Sequence, residues 1–238
     1  MLFRSSTDDE PISLGVLLDV SGSMKNKIDI ARSAVVEFFK SSHPDDDYFV
    51  ITFSDDPLLL ADSTRSIGYV QDRMRLAKPA GHTALLDAIY LGISKMRRAR
   101  YKRRALLVIS DGGDNHSRYT TAEVARLVDE ADVQIYAIGI FESIFRTPEE
   151  WGGKRLLTRL TESTGGRVLA IRNAAQLPEA ADAVSLELRN QYVLGYEPSH
   201  ATHDGAWRKL KVRLTRKPKK DSDRLHVYTR SGYFAAEN

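Results

Sequence analysis

Asp19, Ser21 and Ser23 form an Asp-x-Ser-x-Ser pattern directly after an apolar run, and their side chains end in carboxylate or hydroxyl oxygens. Oxygen ligands of this kind suit a hard cation such as Mg²⁺, which keeps several of its waters and needs few protein ligands. Asp and Ser also favour turns and helix caps, because they hydrogen-bond to nearby backbone. The pattern by itself therefore leaves a metal site and a simple turn both open.

Two more segments carry oxygen-bearing side chains: Gly81-His82-Thr83 before a predicted helix, and Ser110-Asp111-Gly112 at the end of a predicted strand. With the first motif, they follow the chain order of the metal-ion-dependent adhesion site (MIDAS) of von Willebrand factor type A (VWA) domains. The chain resembles this family over about residues 14–190. The positions that match the family's metal site are Asp19, Ser21, Ser23, Thr83 and Asp111.

The resemblance implies a role for each of these side chains. Ser21 and Ser23 would bind Mg²⁺ directly, Thr83 directly or through water, and Asp19 and Asp111 mainly through water; Mn²⁺ and Ca²⁺ are alternative ions. Because the direct ligands are then neutral, the ion stays strongly electrophilic. An Asp or Glu carboxylate of a protein partner can complete its coordination. The expected function is a non-enzymatic, metal-dependent adhesion or scaffold domain.

Neighbouring loop residues are candidates for outer-shell or partner-contact roles. Oxygens of Asp114 and Asn115 could orient the waters of a bound cation. Met24 and His82 lie next to the matching positions and could contact a partner. His82 and His116 could also reach the rim of the site, but we interpret both as loop residues that shape the pocket rather than as a base or a zinc ligand.

Alternating apolar runs and helical patterns predict the elements that position these residues. Helical spacing of Ile28, Ala31, Val35 and Phe38 predicts a first helix, with Asn26 as its cap. Four residues separate the second and third strands, so this pair is predicted antiparallel, since a parallel crossover needs a dozen or more. The predicted strands are 14–20, 47–53, 58–61, 104–110, 133–140 and 166–171, and the later helices are 85–96, 121–130, 151–163 and 177–189.

This alternation predicts an α/β fold with a doubly wound, mostly parallel, Rossmann-like sheet and one antiparallel edge strand. The functional site should lie at the carboxyl ends of the strands. After Asn190 the pattern changes to period two, in 191–197, 207–215 and 225–234, with Leu210, Val212 and Leu214 on a predicted buried face. We therefore expect an N-terminal tail (1–12), a VWA domain (13–190) and a small C-terminal antiparallel β extension (191–238).

The C-terminal segments 191–196, 207–212 and 232–234 are similar to the tail of a bacterial group of VWA-related proteins. Members of that group commonly carry export signals and have no assigned chemistry. The resemblance implies a periplasmic or secreted setting. Residues 1–11 contain no apolar stretch of signal-peptide length, so a cytoplasmic setting stays open.

Composition restricts the function further. The 238 residues are 42% hydrophobic, enough for a large core, and the absence of cysteine excludes disulfides, thiolate zinc sites and thiol catalysis. The net charge of +3 is small, and the basic cluster 97–104 fits the end of a helix, so no nucleic-acid partner is expected. Apolar runs are too short for a transmembrane segment.

Two alternative functions remain at this point. In a metal-dependent hydrolase the same ion would polarise a phosphoryl or carbonyl oxygen and generate hydroxide, although no base or nucleophile is recognisable. An intracellular assembly subunit would work with an ATPase or an RNA instead. The adhesion or scaffold function is favoured because the residues that match belong to a ligand-binding site.

Overall fold

The computed structural model describes residues 10–111, 113–141, 148–192, 194–196, 198, 204–215 and 226–235. None of the helices in this part combines the length and apolar composition needed to cross a membrane. The strands are β1 (Ser13–Asp19), β2 (Asp47–Phe53), β3 (Pro57–Thr64), β4 (Arg104–Ser110), β5 (Gln134–Ile140), β6 (Val168–Ile171), β7 (Trp207–Lys209) and β8 (Gly232–Phe234). The helices are α1 (Ile28–Lys40), α2 (Ile67–Met74), α3 (Leu85–Met96), α4 (Thr121–Glu130), α5 (Pro148–Ser163) and α6 (Leu177–Arg189).

The first six strands form one sheet in the order β3-β2-β1-β4-β5-β6. All neighbours are parallel except β2 and β3, which pair antiparallel at the edge. The predicted fold class, a mostly parallel sheet with one antiparallel edge strand, is confirmed. The order reverses direction beside β1, where the chain leaves for β2 on one side and later returns as β4 on the other. Such a switch point is where doubly wound sheets bind ligands.

Strand β1 lies in the centre of the sheet, and all seven of its residues are buried. Leu14, Val16 and Leu18 belong to the core beneath α1, α2 and α6, while Leu17 belongs to the core beneath α3, α4 and α5. At Gly15 a Cβ atom would lie 2.3 Å from the ring of Phe49, so glycine lets the neighbouring strand pack its aromatic ring over β1. The strand that ends in Asp19 is therefore held from both sides and both faces.

A 3₁₀ helix, Gly22–Asn26, links β1 to α1. The prediction that Asn26 caps α1 is wrong, because Asn26 lies within this 3₁₀ helix and Lys27 is the N-cap residue, with no side-chain cap. The predicted inner face of α1 is confirmed: Ile28, Ala31 and Val35 are buried, as is Phe38. The link fixes the loop after β1 directly against the first helix.

Strands β7 and β8 pair antiparallel as a separate two-stranded sheet, which confirms the predicted small C-terminal β unit. This sheet is attached to the end of α5, where the Ser231 amide donates to the Ser163 carbonyl (3.1 Å) and Thr164 forms an antiparallel bridge with Arg230. The Arg230 guanidinium also donates to the carbonyl of Asp129 (2.8 Å), near the end of α4. The β unit therefore docks on the helices beside the main sheet.

The C-terminal strands are shorter than predicted, and their predicted inner face is exposed. Val212 and Leu214 are 38% and 52% exposed, and Leu210 is half-buried. The prediction of a buried face here is wrong for Val212 and Leu214, because the described chain leaves both side chains exposed. Described residues within 191–197 form no strand. Most of the predicted N-terminal tail, residues 1–9, lies outside the described residues.

Candidate metal centre

The candidate centre lies where β1 and β4, neighbouring parallel strands at the switch point, reach their carboxyl ends. Asp19 and Ser110 are the last residues of these strands, directly after the paired residues Leu18 and Ile109. The Ser110 hydroxyl donates to Asp19 Oδ2 at 2.6 Å. Sheet register therefore brings together two residues that are 91 positions apart.

The Asp19 carboxylate is completely buried. Its Oδ1 accepts the Ser21 amide at 2.8 Å, so both oxygens have neutral donors. Burial raises the pKa of Asp19 from 3.8 to about 6, more than these hydrogen bonds lower it. Among the described residues, no basic side chain forms an ion pair with Asp19. A buried carboxylate without a cationic partner is costly, and a bound cation would offset that cost.

Ser21, Ser23 and Asp111 form a chain of hydrogen bonds next to Asp19. The hydroxyls of Ser21 and Ser23 lie 3.1 Å apart, and the Ser23 hydroxyl donates to Asp111 Oδ1 at 2.7 Å. Ser21 and Asp111 are buried, whereas Ser23 is exposed, so the cluster opens to solvent on the Ser23 side. Four of the five predicted ligands are thus joined by side-chain contacts or through the Asp19–Ser21 turn.

Thr83 lies on the adjacent loop between α2 and α3. Two backbone hydrogen bonds tie this loop to the loop after β1: the Gly22 amide to the Gly81 carbonyl (3.0 Å) and the Ala80 amide to the Val20 carbonyl (2.9 Å). Thr83 is buried, and its hydroxyl makes no hydrogen bond to another described residue. The structure thus places Thr83 on the loop next to the cluster, with no hydrogen bond from its hydroxyl to the other four side chains.

Asn115 and Asp114 support the Thr83 loop. Asn115 Oδ1 accepts a hydrogen bond from the Thr83 backbone amide at 2.8 Å. The backbone amide of Asn115 donates to the Thr83 carbonyl at 3.0 Å. Asp114 Oδ1 accepts the Leu86 amide at 3.1 Å, at the start of α3. Both side chains are therefore used to hold the backbone around Thr83. Their outer-shell role toward a cation remains a prediction.

Met24 and His82 lie in opposite environments. Met24 is completely buried in the core beneath α1, so the expectation that it contacts a partner is corrected: its side chain has no exposed surface. His82 is exposed, and its Nδ1 lies 2.8 Å from Asp55 Oδ1. Of the two, only His82 is accessible to a partner.

Lys27 is a further charged group at the centre, and sequence reasoning missed it. Its Nζ donates to Asp111 Oδ2 at 2.6 Å, and the Lys27 side chain is only 15% exposed. The only sequence feature that could have indicated this role is the position of Lys27, about one helical turn after Ser23. Ser110 was also missed, although it directly precedes Asp111. The centre thus contains two acidic groups, and an internal ammonium neutralises one of them.

The donor set fits a small hard cation. Hydroxyls of Ser21 and Ser23 and carboxylates of Asp19 and Asp111 are all oxygen donors, as Mg²⁺ prefers. The buried charge on Asp19 would be stabilised by a positive counter-charge. The cluster already holds one positive charge, the Lys27 ammonium, beside Asp111. This arrangement is suited to hold a cation at the carboxyl-terminal edge of the sheet, on a side that is open to solvent.

Sequence comparison finds one family whose model matches this part of the chain. Residues 14–113 match the von Willebrand factor type A domain. The matched range includes Asp19, Thr83 and Asp111, together with both serines of the first motif. No curated protein matches the sequence.

Solved structures share the fold at low sequence identity. A von Willebrand factor type A protein from Catenulispora acidiphila aligns over 76% of this chain with a TM-score of 0.64 and 17% identity. An aerotolerance-related membrane protein from Bacteroides fragilis aligns over 76% of this chain and 100% of its own length (TM-score 0.61, 16% identity). The PilB minor pilin from Streptococcus sanguinis aligns over 75% of this chain and 61% of its own (TM-score 0.63, 12% identity). The chain spans only 43% of the Catenulispora acidiphila protein.

Proposed function

We propose that this VWA domain is a non-enzymatic protein-binding module that holds Mg²⁺ in its MIDAS-like centre and binds an acidic side chain of a partner protein there. The residues that hold the ion in this proposal are Asp19, Ser21, Ser23, Thr83 and Asp111. The observation that carries it is the Asp19 carboxylate, which is fully buried at the switch point and has no basic partner among the described residues.

Each side chain has a distinct task in the proposal. The ion supplies a positive charge with open coordination positions, to which a carboxylate can bind. Asp19 provides buried negative charge, and the Ser110 hydroxyl and Ser21 amide fix its orientation. Exposed Ser23 lies at the open side, where a partner side chain can approach. Asn115 holds Thr83 through its backbone, so the fifth ligand is positioned before a partner arrives.

Proteins with this fold support an interaction role. They include a minor pilin and an aerotolerance-related membrane protein, which suggests adhesion or scaffolding at the cell envelope. We extend that role to this chain, and we place the chain outside the cytoplasm by the same reasoning. The dependence on metal and the preference for a carboxylate are this proposal's own additions.

A peptide array tests the proposal directly. Peptides that present Asp or Glu should retain the domain in Mg²⁺, lose it in EDTA, and bind poorly when Asn or Gln replaces the acid. Thr83→Val, which removes one hydroxyl at similar volume, should weaken Mg²⁺-dependent retention by about tenfold or more. The matched control Thr121→Val, at an exposed position on α4, should leave retention unchanged. Equal retention in EDTA, or on Asn peptides, would refute the proposal.

Lys27 should compete with the metal for Asp111. Replacing Lys27 by methionine removes one positive charge from the centre, so Mg²⁺ should bind about tenfold more tightly at low salt. Isothermal titration calorimetry measures the change. The control is Lys25→Met, an exposed position two residues earlier, where little change is expected. Weaker binding in Lys27→Met would mean that Lys27 orients Asp111 for the metal instead of competing with it.

A further inference from the structure

Asp55, His82 and His116 form a cluster of nitrogen and oxygen donors at the same edge of the sheet as the MIDAS-like centre. Asp55 lies between β2 and β3, His82 between α2 and α3, and His116 between β4 and α4. One donor atom from each side chain lies within 4.8 Å of the other two. Residues from three separate loops are thus brought to one exposed point.

The two imidazole rings and the carboxylate are arranged around each other. The rings of His82 and His116 are stacked, with centroids 4.9 Å apart and planes 14° from parallel. Asp55 Oδ1 accepts the backbone amide of His82 at 2.8 Å and lies at the same distance from His82 Nδ1. Asp55 therefore fixes both the backbone and the ring of His82, while His116 lies against that ring.

Backbone contacts hold the three loops together. The Ala84 amide donates to the Ser54 carbonyl at 2.8 Å, which links the loops of His82 and Asp55. The His116 amide donates to the Thr83 carbonyl at 3.2 Å, which links the loops of His116 and His82. Gly81 has a φ of 79°, and a Cβ there would lie 2.4 Å from Asp55 Oδ2, so glycine allows the carboxylate to approach the loop. The cluster is thus supported by the fold rather than formed by chance contacts of mobile side chains.

We propose that Asp55, His82 and His116 form a second cation site, which binds a late first-row divalent transition metal, with Zn²⁺ as the representative ion. Two imidazoles and one carboxylate are a ligand set that suits Zn²⁺, Cu²⁺ or Ni²⁺, whereas Mg²⁺ prefers oxygen donors alone. The site differs in its chemistry from the MIDAS-like centre and shares no ligand with it.

The separation of the donor atoms suits such an ion after a small adjustment. Around a tetrahedral Zn²⁺ with bonds of about 2.0–2.1 Å, neighbouring donors lie roughly 3.3 Å apart. The donor atoms of this cluster all lie within 4.8 Å of one another. The side chains of His82 and Asp55 are 66% and 51% exposed, so small rotations, with the three loops kept in place, can close the difference. Three protein ligands leave at least one position for water or for a donor from a partner.

Zinc titration of the full chain, produced without a polyhistidine tag, tests the site. The wild type should bind one Zn²⁺ through this cluster, and either His82→Gln or His116→Gln should weaken that binding by about 100-fold or more. His226→Gln is the matched control, because His226 is exposed in the C-terminal segment, and it should bind as the wild type does. Asp19→Asn should also keep this Zn²⁺ affinity.

Electron paramagnetic resonance with Cu²⁺ gives a readout that does not depend on affinity. The wild-type spectrum should show hyperfine splitting from two imidazole nitrogens, and each single histidine variant should show one nitrogen fewer. Unchanged melting temperatures of the variants would exclude misfolding as the cause. Equal Zn²⁺ affinity in wild type and the double histidine variant would overturn the proposal. Loss of the Zn²⁺ site in Asp19→Asn would also overturn it, since the ion would then occupy the MIDAS-like centre.

Discussion

Asp19→Asn is expected to weaken Mg²⁺ binding by about 100-fold or more, because it removes a buried negative charge a few ångströms from a divalent ion. Asparagine preserves the shape of the side chain and can still accept the Ser21 amide. The variant should therefore fold. Isothermal titration calorimetry with MgCl₂ measures the effect, and saturating Mg²⁺ should raise the melting temperature of the wild type but not of the variant.

Asp72→Asn is the matched control for this prediction. Asp72 lies on α2 with a largely exposed side chain, so the variant has the same change in net charge without a change at the centre. Its Mg²⁺ affinity should equal that of the wild type. An Asp19→Asn variant that binds Mg²⁺ as tightly as the wild type would contradict the assignment of the metal centre. A separate loss of Zn²⁺ binding in the histidine variants would leave this conclusion untouched.

The sequence predicted the sheet well because its signal is local and strong. The buried strands β1 and β4 consist of nearly continuous apolar residues, which is typical of parallel strands covered on both faces. The short link between β2 and β3 correctly predicted antiparallel pairing. Helix α2 was missed because only Val70 and Met74 of its eight residues are buried, too few to establish a helical period.

The C-terminal extension shows where a pattern alone misleads. Leu210, Val212 and Leu214 alternate with charged residues, and this favours a strand with one buried face. Burial, however, depends on whether another layer packs on that face, and the described chain provides none there. An antiparallel pair does form in this extension, but residues 210–214 lie beyond the end of β7 and are not in a strand.

The candidate centre was predictable where topology determines it. Asp19 and Asp111 follow two buried strands, and adjacent parallel strands bring their carboxyl ends to one edge. The ion pair of Lys27 with Asp111 and the contact of Asp55 with His82 depend on how loops fold against each other. Periodicity contains no information on such contacts between loops. For the same reason, the sequence does not predict that His82 and His116 meet Asp55 as a set of metal donors.

The metal-free protein should lose stability as Asp19 ionises. In the folded chain burial raises the pKa of Asp19 from 3.8 to about 6, so between about pH 4 and pH 6 the unfolded chain is ionised while the folded chain keeps the proton. The folded state binds more protons in this range, and the free energy of unfolding therefore falls as pH rises. The pKa shift corresponds to about 3 kcal/mol in the free energy of unfolding, and this stability is fully lost above pH 6.

Comparison of Asp19→Asn with the wild type isolates this contribution from other titrating groups. Urea unfolding in EDTA measures the free energy of unfolding of each protein. As pH rises from 4 to 7, this free energy should increase for the variant relative to the wild type by about 3 kcal/mol. Saturating Mg²⁺ at pH 7 should reduce this difference, because a bound cation stabilises the ionised carboxylate of the wild type alone. A difference that stays constant with pH would mean that Asp19 is not the buried charge that draws a cation into the centre.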